Sequence, residues 1–110
     1  MTLFQKIIDR EIPADIVFED ERSLAFRDIQ PQAPVHILII PKKPLSGVGA
    51  MAEEDRELVG HLLFVAAEIA RQQQLSDFRL VTNNGADAGQ SVFHLHIHLL
   101  GGRPLSWPPG

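Results

Sequence analysis

Three histidines at alternate positions, His94, His96 and His98, are the side chains of this 110-residue sequence with the most chemistry to offer. They stand in Ser91-Val92-Phe93-His94-Leu95-His96-Ile97-His98-Leu99-Leu100, a run whose length and aliphatic content predict a strand over 92–100. Side chains alternate across a strand, so the imidazoles share one face and Phe93, Leu95, Ile97 and Leu99 the other. Neighbouring rings on that face spring from Cα atoms about 6.7 Å apart, twice the rise per residue. Stability alone gives little reason to line up three of the chain's five histidines, since protonated rings repel. Three readings follow. The rings are satisfied core histidines; or they ligate zinc or copper, with His36, a carboxylate or water completing the shell; or one neutral imidazole attacks an electrophile while its other nitrogen keeps its proton on a backbone carbonyl or a partner side chain. Phosphorus suits the last reading, because imidazole also leaves well from a phosphohistidine.

The residues just before the strand fit an anion. Asn84-Gly85-Ala86-Asp87-Ala88-Gly89-Gln90-Ser91 is a glycine-bearing loop, and Gly85 and Gly89 let backbone amides close on phosphate oxygens. Asp28 ends another predicted strand, ahead of a proline-containing loop. A carboxylate there takes two vicinal hydroxyls or bonds its local backbone.

The elements that must position these residues are legible in outline. Thr2 caps a short helix over Leu3–Asp9, stopped by Pro13, with Leu3, Phe4, Ile7 and Ile8 on one face. Strands are predicted over 15–19, 23–28 and 35–40, the first two as a hairpin and the third bounded by Pro34 and Pro41. A long helix over 53–74 carries Leu58, Leu62, Val65 and Ile69, with Val59, Leu63, Ala66 and Ala70 as a second stripe. Strands over 78–83 and 92–100 follow. This order predicts an α+β domain: a five-stranded antiparallel sheet with one long and one short helix packed on it. Residues 1–110 read as a single domain, with 101–110 as a Gly/Pro-rich C-terminal tail. His61 is read as a solvated or interface residue of the helix, and Lys42-Lys43 as a solvated turn.

Composition narrows the function classes. The net charge of −4 gives no basic footprint for nucleic acid, so any anion must be held by a local site. With no cysteine, disulfide frameworks, dithiol redox chemistry and thiolate zinc sites are excluded. No segment has the roughly 20 apolar residues of a membrane helix. The charged N-terminus is unlike a signal peptide, and a cytoplasmic protein is the simplest expectation.

The run His94-Leu95-His96-Ile97-His98-Leu99-Leu100 resembles the His-φ-His-φ-His-φ-φ signature of the histidine-triad nucleotide hydrolases and transferases. Phe26-Arg27-Asp28-Ile29, Pro31-Gln32-Ala33-Pro34-Val35-His36, Ile40-Pro41-Lys42-Lys43, Gly89-Gln90-Ser91-Val92 and the terminal Trp107-Pro108-Pro109-Gly110 are similar to its HINT branch. The resemblance implies a purine nucleoside phosphoramidase that cleaves the P–N bond of AMP-amine or AMP-lysine conjugates without a metal or other cofactor. By position, His96 would be the nucleophile, the carbonyl of His94 would accept its Nδ1 proton, and His98 and His36 would polarise the phosphate. Ser91 would bond near the leaving amine, and the amides of Gly89, Gln90 and Ser91 would hold phosphate oxygens. Asp28 would take the ribose hydroxyls, Asn83 would lie by the 5′ side, and Leu3, Phe4, Ile7, Phe26 and Ile29 would wall the base pocket. The resemblance also implies a homodimer with a continuous ten-stranded sheet. Two other outcomes stay open: a nucleotide-binding interaction module with little turnover, and a histidine-ligated metal protein.

Overall fold

The computed structural model describes residues 1–110. The chain forms helix α1 (Leu3–Ile8), strands β1 (Ile16–Glu19), β2 (Ser23–Arg27) and β3 (Val35–Pro41), helix α2 (Arg56–Gln72), and strands β4 (Phe78–Val81) and β5 (Ile97–Gly101). The sheet order is β1-β2-β3-β5-β4, and every pairing is antiparallel. The five-stranded α+β architecture expected from the sequence is the one observed. No helix is long and apolar enough to cross a membrane.

Local chemistry explains the element ends. The Thr2 hydroxyl accepts a hydrogen bond from the Gln5 amide at 3.1 Å and caps α1. The helix closes before Pro13, because Arg10 turns into the left-handed region at φ 61°. Gln74, at φ 58°, ends the path of α2 in the same way. The long helix predicted over 53–74 is a single 3₁₀ turn, Glu53–Asp55, followed by α2.

The sheet separates two apolar layers. On one face α2 buries Leu62, Val65, Ala66, Ile69 and Ala70 against Ile37, Ile39, Leu95, Ile97 and Leu99. On the other, α1 lays Phe4 and Ile7 over Leu24, Phe26, Leu38 and Ile40. The second stripe of α2 divides: Ala66 and Ala70 are buried, whereas Leu63 joins Phe64 on the exposed side.

The largest departure from the sequence reading concerns the histidine strand. Only Ile97–Gly101 is strand, and residues 92–96 bend away from the ladder. Pairing between β3 and β5 stops at Ile39 opposite Ile97, two residues short of Pro41, which has no N–H to give. Beyond that point other bonds take over the backbone. The Leu95 amide donates to the Leu45 carbonyl at 2.6 Å, and the Thr82 hydroxyl donates to the His96 carbonyl at 2.9 Å. Phe93 correspondingly does not join the apolar face; it is half exposed. The strand predicted over 78–83 likewise ends at Val81, which frees Thr82 for that bond.

Candidate active site

The bend at 92–96 brings the triad imidazoles around a corner, on the α1 side of the sheet. His96 and His98 have ring centroids 5.0 Å apart, and His98 and His36 5.2 Å apart. Phe4 of α1 stands edge-on to His96 at 4.9 Å and to Phe26 at 5.4 Å. A cavity of 380 Å³ opens beside them, with His96, His98, Ser91 and Asp28 on its polar side and Phe4, Ile7, Phe26 and Leu38 on its apolar side. Leu3 and Ile29 form part of its rim. A larger and more open cleft of 650 Å³ lies between the start of β4 and the C-terminal tail, but none of the histidines lines it. The clustered imidazoles border the smaller cavity.

Hydrogen bonds define the protons of all four clustered imidazoles. A neutral imidazole has one N–H and one lone pair, so a partner at one nitrogen fixes the other. His96 Nδ1 lies 2.7 Å from the His94 carbonyl oxygen, which can only accept. The proton is therefore on Nδ1, and His96 Nε2 carries a free lone pair. His36 Nδ1 accepts the Gln32 amide at 3.0 Å, so its proton is on Nε2, 2.9 Å from His98 Nδ1. His98 accepts there and keeps its own proton on Nε2. His94 donates from Nε2 to the Pro41 carbonyl at 2.8 Å and is almost fully buried.

The remaining sequence-predicted residues divide by position. Asp28 accepts the Gln30 amide at 2.8 Å, and its other oxygen lies 3.5 Å from His36 Nε2. Ser91 is exposed at the cavity wall. Gly89 takes φ 97°, a left-handed conformation that favours glycine, and packs against Asn83 outside the cavity lining. Gln90 is buried, and its side-chain amide bonds the protein's own backbone. Two residues to which the sequence reading gave no role touch the cluster: Gln32, through its amide, and Thr82. Nothing in Val81-Thr82-Asn83 marks that threonine in advance, because its bond exists only once β4 lies beside β5. Thr82→Val removes that bond at constant shape and is expected to cost about 1 kcal/mol of stability, read by urea unfolding. His61, expected to be solvated or at an interface, instead bonds Asp20 at 2.6 Å. Lys42 and Lys43 pair with Glu19 and Asp55.

Burial holds three of these imidazoles neutral. Loss of water, and then the neighbouring His96 and His36, bring His98 down to about 4. His36 is lowered by burial against the opposing pull of Asp28, and His94 by burial against its bond to Pro41. The unfolded chain then binds more protons than the folded one below the ordinary histidine value of about 6.5. Stability is at full value above that pH and falls as the pH drops from about 6.5 toward about 4. A urea midpoint that declines through this window is the expected result, and a flat one would contradict neutral burial. Asp20, held low despite burial by bonds from Ser23 and His61, loses its contribution only below the ordinary carboxylate range.

Known proteins share this fold. The HIT domain matches residues 9–105. An uncharacterised HIT-like protein of Synechocystis sp. is 63% identical over 110 residues, 99% of this chain and 96% of the relative. A 14 kDa zinc-binding protein of Zea mays is 54% identical, over 99% of this chain and 88% of that one. Among solved structures, a HIT family hydrolase from Legionella pneumophila superposes with a TM-score of 0.97 at 50% identity, covering both chains completely. A histidine triad nucleotide-binding protein from Candida albicans gives 0.84 at 30% identity, over 98% of this chain and 83% of that one. The chain belongs to the HIT family.

Proposed function

We propose that the protein is a purine nucleoside phosphoramidase, which hydrolyses AMP-amine or AMP-lysine conjugates through a nucleotidyl-histidine on His96. One observation carries the reading: the 2.7 Å bond from His96 Nδ1 to the His94 carbonyl leaves a bare Nε2 lone pair on a cavity-lining ring. That lone pair attacks phosphorus, the P–N bond breaks, and the nitrogen takes a proton from solvent through the exposed Ser91 hydroxyl and leaves as a neutral amine, while neutral His98 keeps its Nε2 proton as a donor to the phosphate. Water then attacks the same phosphorus and returns a proton to solvent, the P–Nε2 bond breaks, AMP departs, and the Nε2 lone pair is restored. His36, through its bond to His98, keeps the His98 proton on the cavity side. The Ser91 amide, which has no partner in the protein, offers a donor for charge developing on a phosphate oxygen, whereas the amides of Gly89 and Gln90, expected to join it, donate to the carbonyls of Ala86 and Gly85 at 3.0 Å. Asp28 takes the ribose hydroxyls and the apolar wall of Phe4, Ile7, Phe26 and Ile29 takes the purine, whereas Asn83, expected by the 5′ side, lies beside Gly89 and does not line the cavity. The names of the Legionella and Candida relatives, a hydrolase and a nucleotide-binding protein, support the same assignment.

The experiment is hydrolysis of an AMP-linked amine by metal-free protein. Turnover supports the reading; tight AMP binding without P–N cleavage across several leaving groups replaces it with that of a binding module. We further expect a homodimer, with Leu63 and Phe64 on the exposed side of α2 as the surface to be covered. A sedimentation mass of one chain at micromolar concentration would contradict this.

A metal reading has two observations in its favour. Ligand atoms of Asp28, His36 and His98 lie within 4.8 Å of one another, and the maize relative is named for zinc. The hydrogen bonds fit it poorly. The only lone pair of neutral His36 is occupied by the Gln32 amide, so a metal at Nε2 would require an imidazolate or the loss of that bond. Stoichiometric zinc in protein purified without an affinity tag would favour the metal reading nonetheless.

A further inference from the structure

Gln90 lies where the glycine loop meets the histidine run, yet its side chain faces inward. We propose that Gln90 is a positioning residue, whose buried side-chain amide shapes the loop that presents the Ser91 backbone amide to a phosphate, and does not itself touch the nucleotide. The inference rests on the phosphate-binding reading of that loop.

Gln90 is only 5% exposed. Its Nε2 donates to the Ser46 carbonyl at 2.7 Å and to the Val92 carbonyl at 3.1 Å, while its Oε1 accepts the Gly85 amide at 2.8 Å. Both amide hydrogens are thus committed to backbone oxygens, and none is left for a ligand. The three partners come from three stretches: the segment after β3, the start of the glycine loop, and the approach to the triad. The main chain of Gln90 adds a fourth tie, its amide donating to the Gly85 carbonyl at 3.0 Å.

The fit depends on a glycine opposite. A Cβ on Gly47 would lie 2.6 Å from Asn84 Oδ1 and 3.3 Å from Gln90 Oε1, so a larger residue would force the two amides apart. Asn84 makes the parallel tie on the outer side, accepting the Gly49 amide at 2.8 Å. The backbone that receives Gln90 is continuous with Leu45, whose carbonyl accepts the Leu95 amide one residue before His96. One brace therefore sets the loop and the His96 backbone against the same segment. A small displacement there separates the Ser91 amide from the attacking nitrogen, and misplacement of about 1 Å can cost about 100-fold in rate.

Two variants test this. Gln90→Met keeps length and removes every polar contact of the side chain; Gln90→Glu keeps shape and replaces the donor with a carboxyl. The Met variant is expected to lose about 100-fold in kcat against an AMP-linked amine. It should bind AMP about tenfold more weakly, the worth of one charge-assisted hydrogen bond, and bind adenosine, which has no phosphate, as wild type does. The Glu variant is expected to regain activity relative to wild type as pH falls from about 8 to about 6. Burial raises a carboxyl's pKa, and the protonated form can again donate to Ser46 and accept from Gly85. Unchanged AMP and adenosine affinities with kcat within threefold of wild type would overturn the proposal, as would parallel loss of both affinities or a Glu-to-wild-type activity ratio independent of pH. If wild type shows no P–N cleavage, the phosphoramidase reading fails by itself, and the AMP-to-adenosine affinity ratio still decides the role of Gln90.

Discussion

Replacement of His96 by alanine is expected to lower P–N hydrolysis by about 10⁴-fold or more, while AMP affinity falls by less than about tenfold. The asymmetry follows from the bond to the His94 carbonyl. That bond spends the only N–H of His96 on the backbone, so the ring has a lone pair to offer phosphorus but no proton to give a bound phosphate. Its loss removes the proposed covalent route and leaves most binding contacts in place. The neighbouring imidazoles cannot take over. His98 Nδ1 is occupied by His36, and the free nitrogen of His98 bears a proton. Steady-state hydrolysis, AMP titration and mass spectrometry of rapidly quenched mixtures check this together. The quenched wild-type protein should carry a nucleotidyl group on the peptide containing His96. Full activity in His96→Ala, or the group on a different histidine, would refute the mechanism.

Leu62→Ala is expected to destabilise the fold by about 3 kcal/mol, the middle of the range for a buried leucine cut to alanine. Leu62 is fully buried, on the face of α2 that packs against β3 and β5. The wall facing the cavity left behind is mostly branched side chains on paired strands, among them Ile37, Ile39 and Leu99, which have little freedom to collapse into it. Urea unfolding measures the loss, and a change below about 1 kcal/mol would mean that α2 does not carry the core. The exposed neighbour Leu63→Ala should lose far less in a monomer. A loss at Leu63 that grows with protein concentration would locate a subunit contact there.

Patterns that repeat with the period of an element were legible from the residues alone. Leu62, Val65 and Ile69 follow helical spacing and are buried as that spacing requires. Leu95, Ile97 and Leu99 join the same core. Residues 92–96 broke the pattern because local alternation cannot see a missing partner. The strand ends where Pro41 has no N–H to offer, and the freed backbone is taken up by Leu45, Thr82 and the ring of His96 itself. Thr82 stayed hidden for a related reason, since its bond to His96 forms only once β4 lies beside β5; Gln32 stayed hidden because it acts through its backbone amide, four residues from His36, which its residue type does not mark.

By itself, the sequence determined the order of elements, the apolar faces of α2 and β5, and the presence of three imidazoles ahead of a glycine loop, because these depend on residue type and short-range spacing. Tertiary structure decided where His94 and His98 keep their protons. Their partners come from across the fold, the Pro41 carbonyl and the imidazole of His36, whereas His36 and His96 are fixed by backbone groups four and two residues away. A ring nitrogen becomes base or acid according to which neighbour reaches it first, and that is a matter of packing geometry rather than composition.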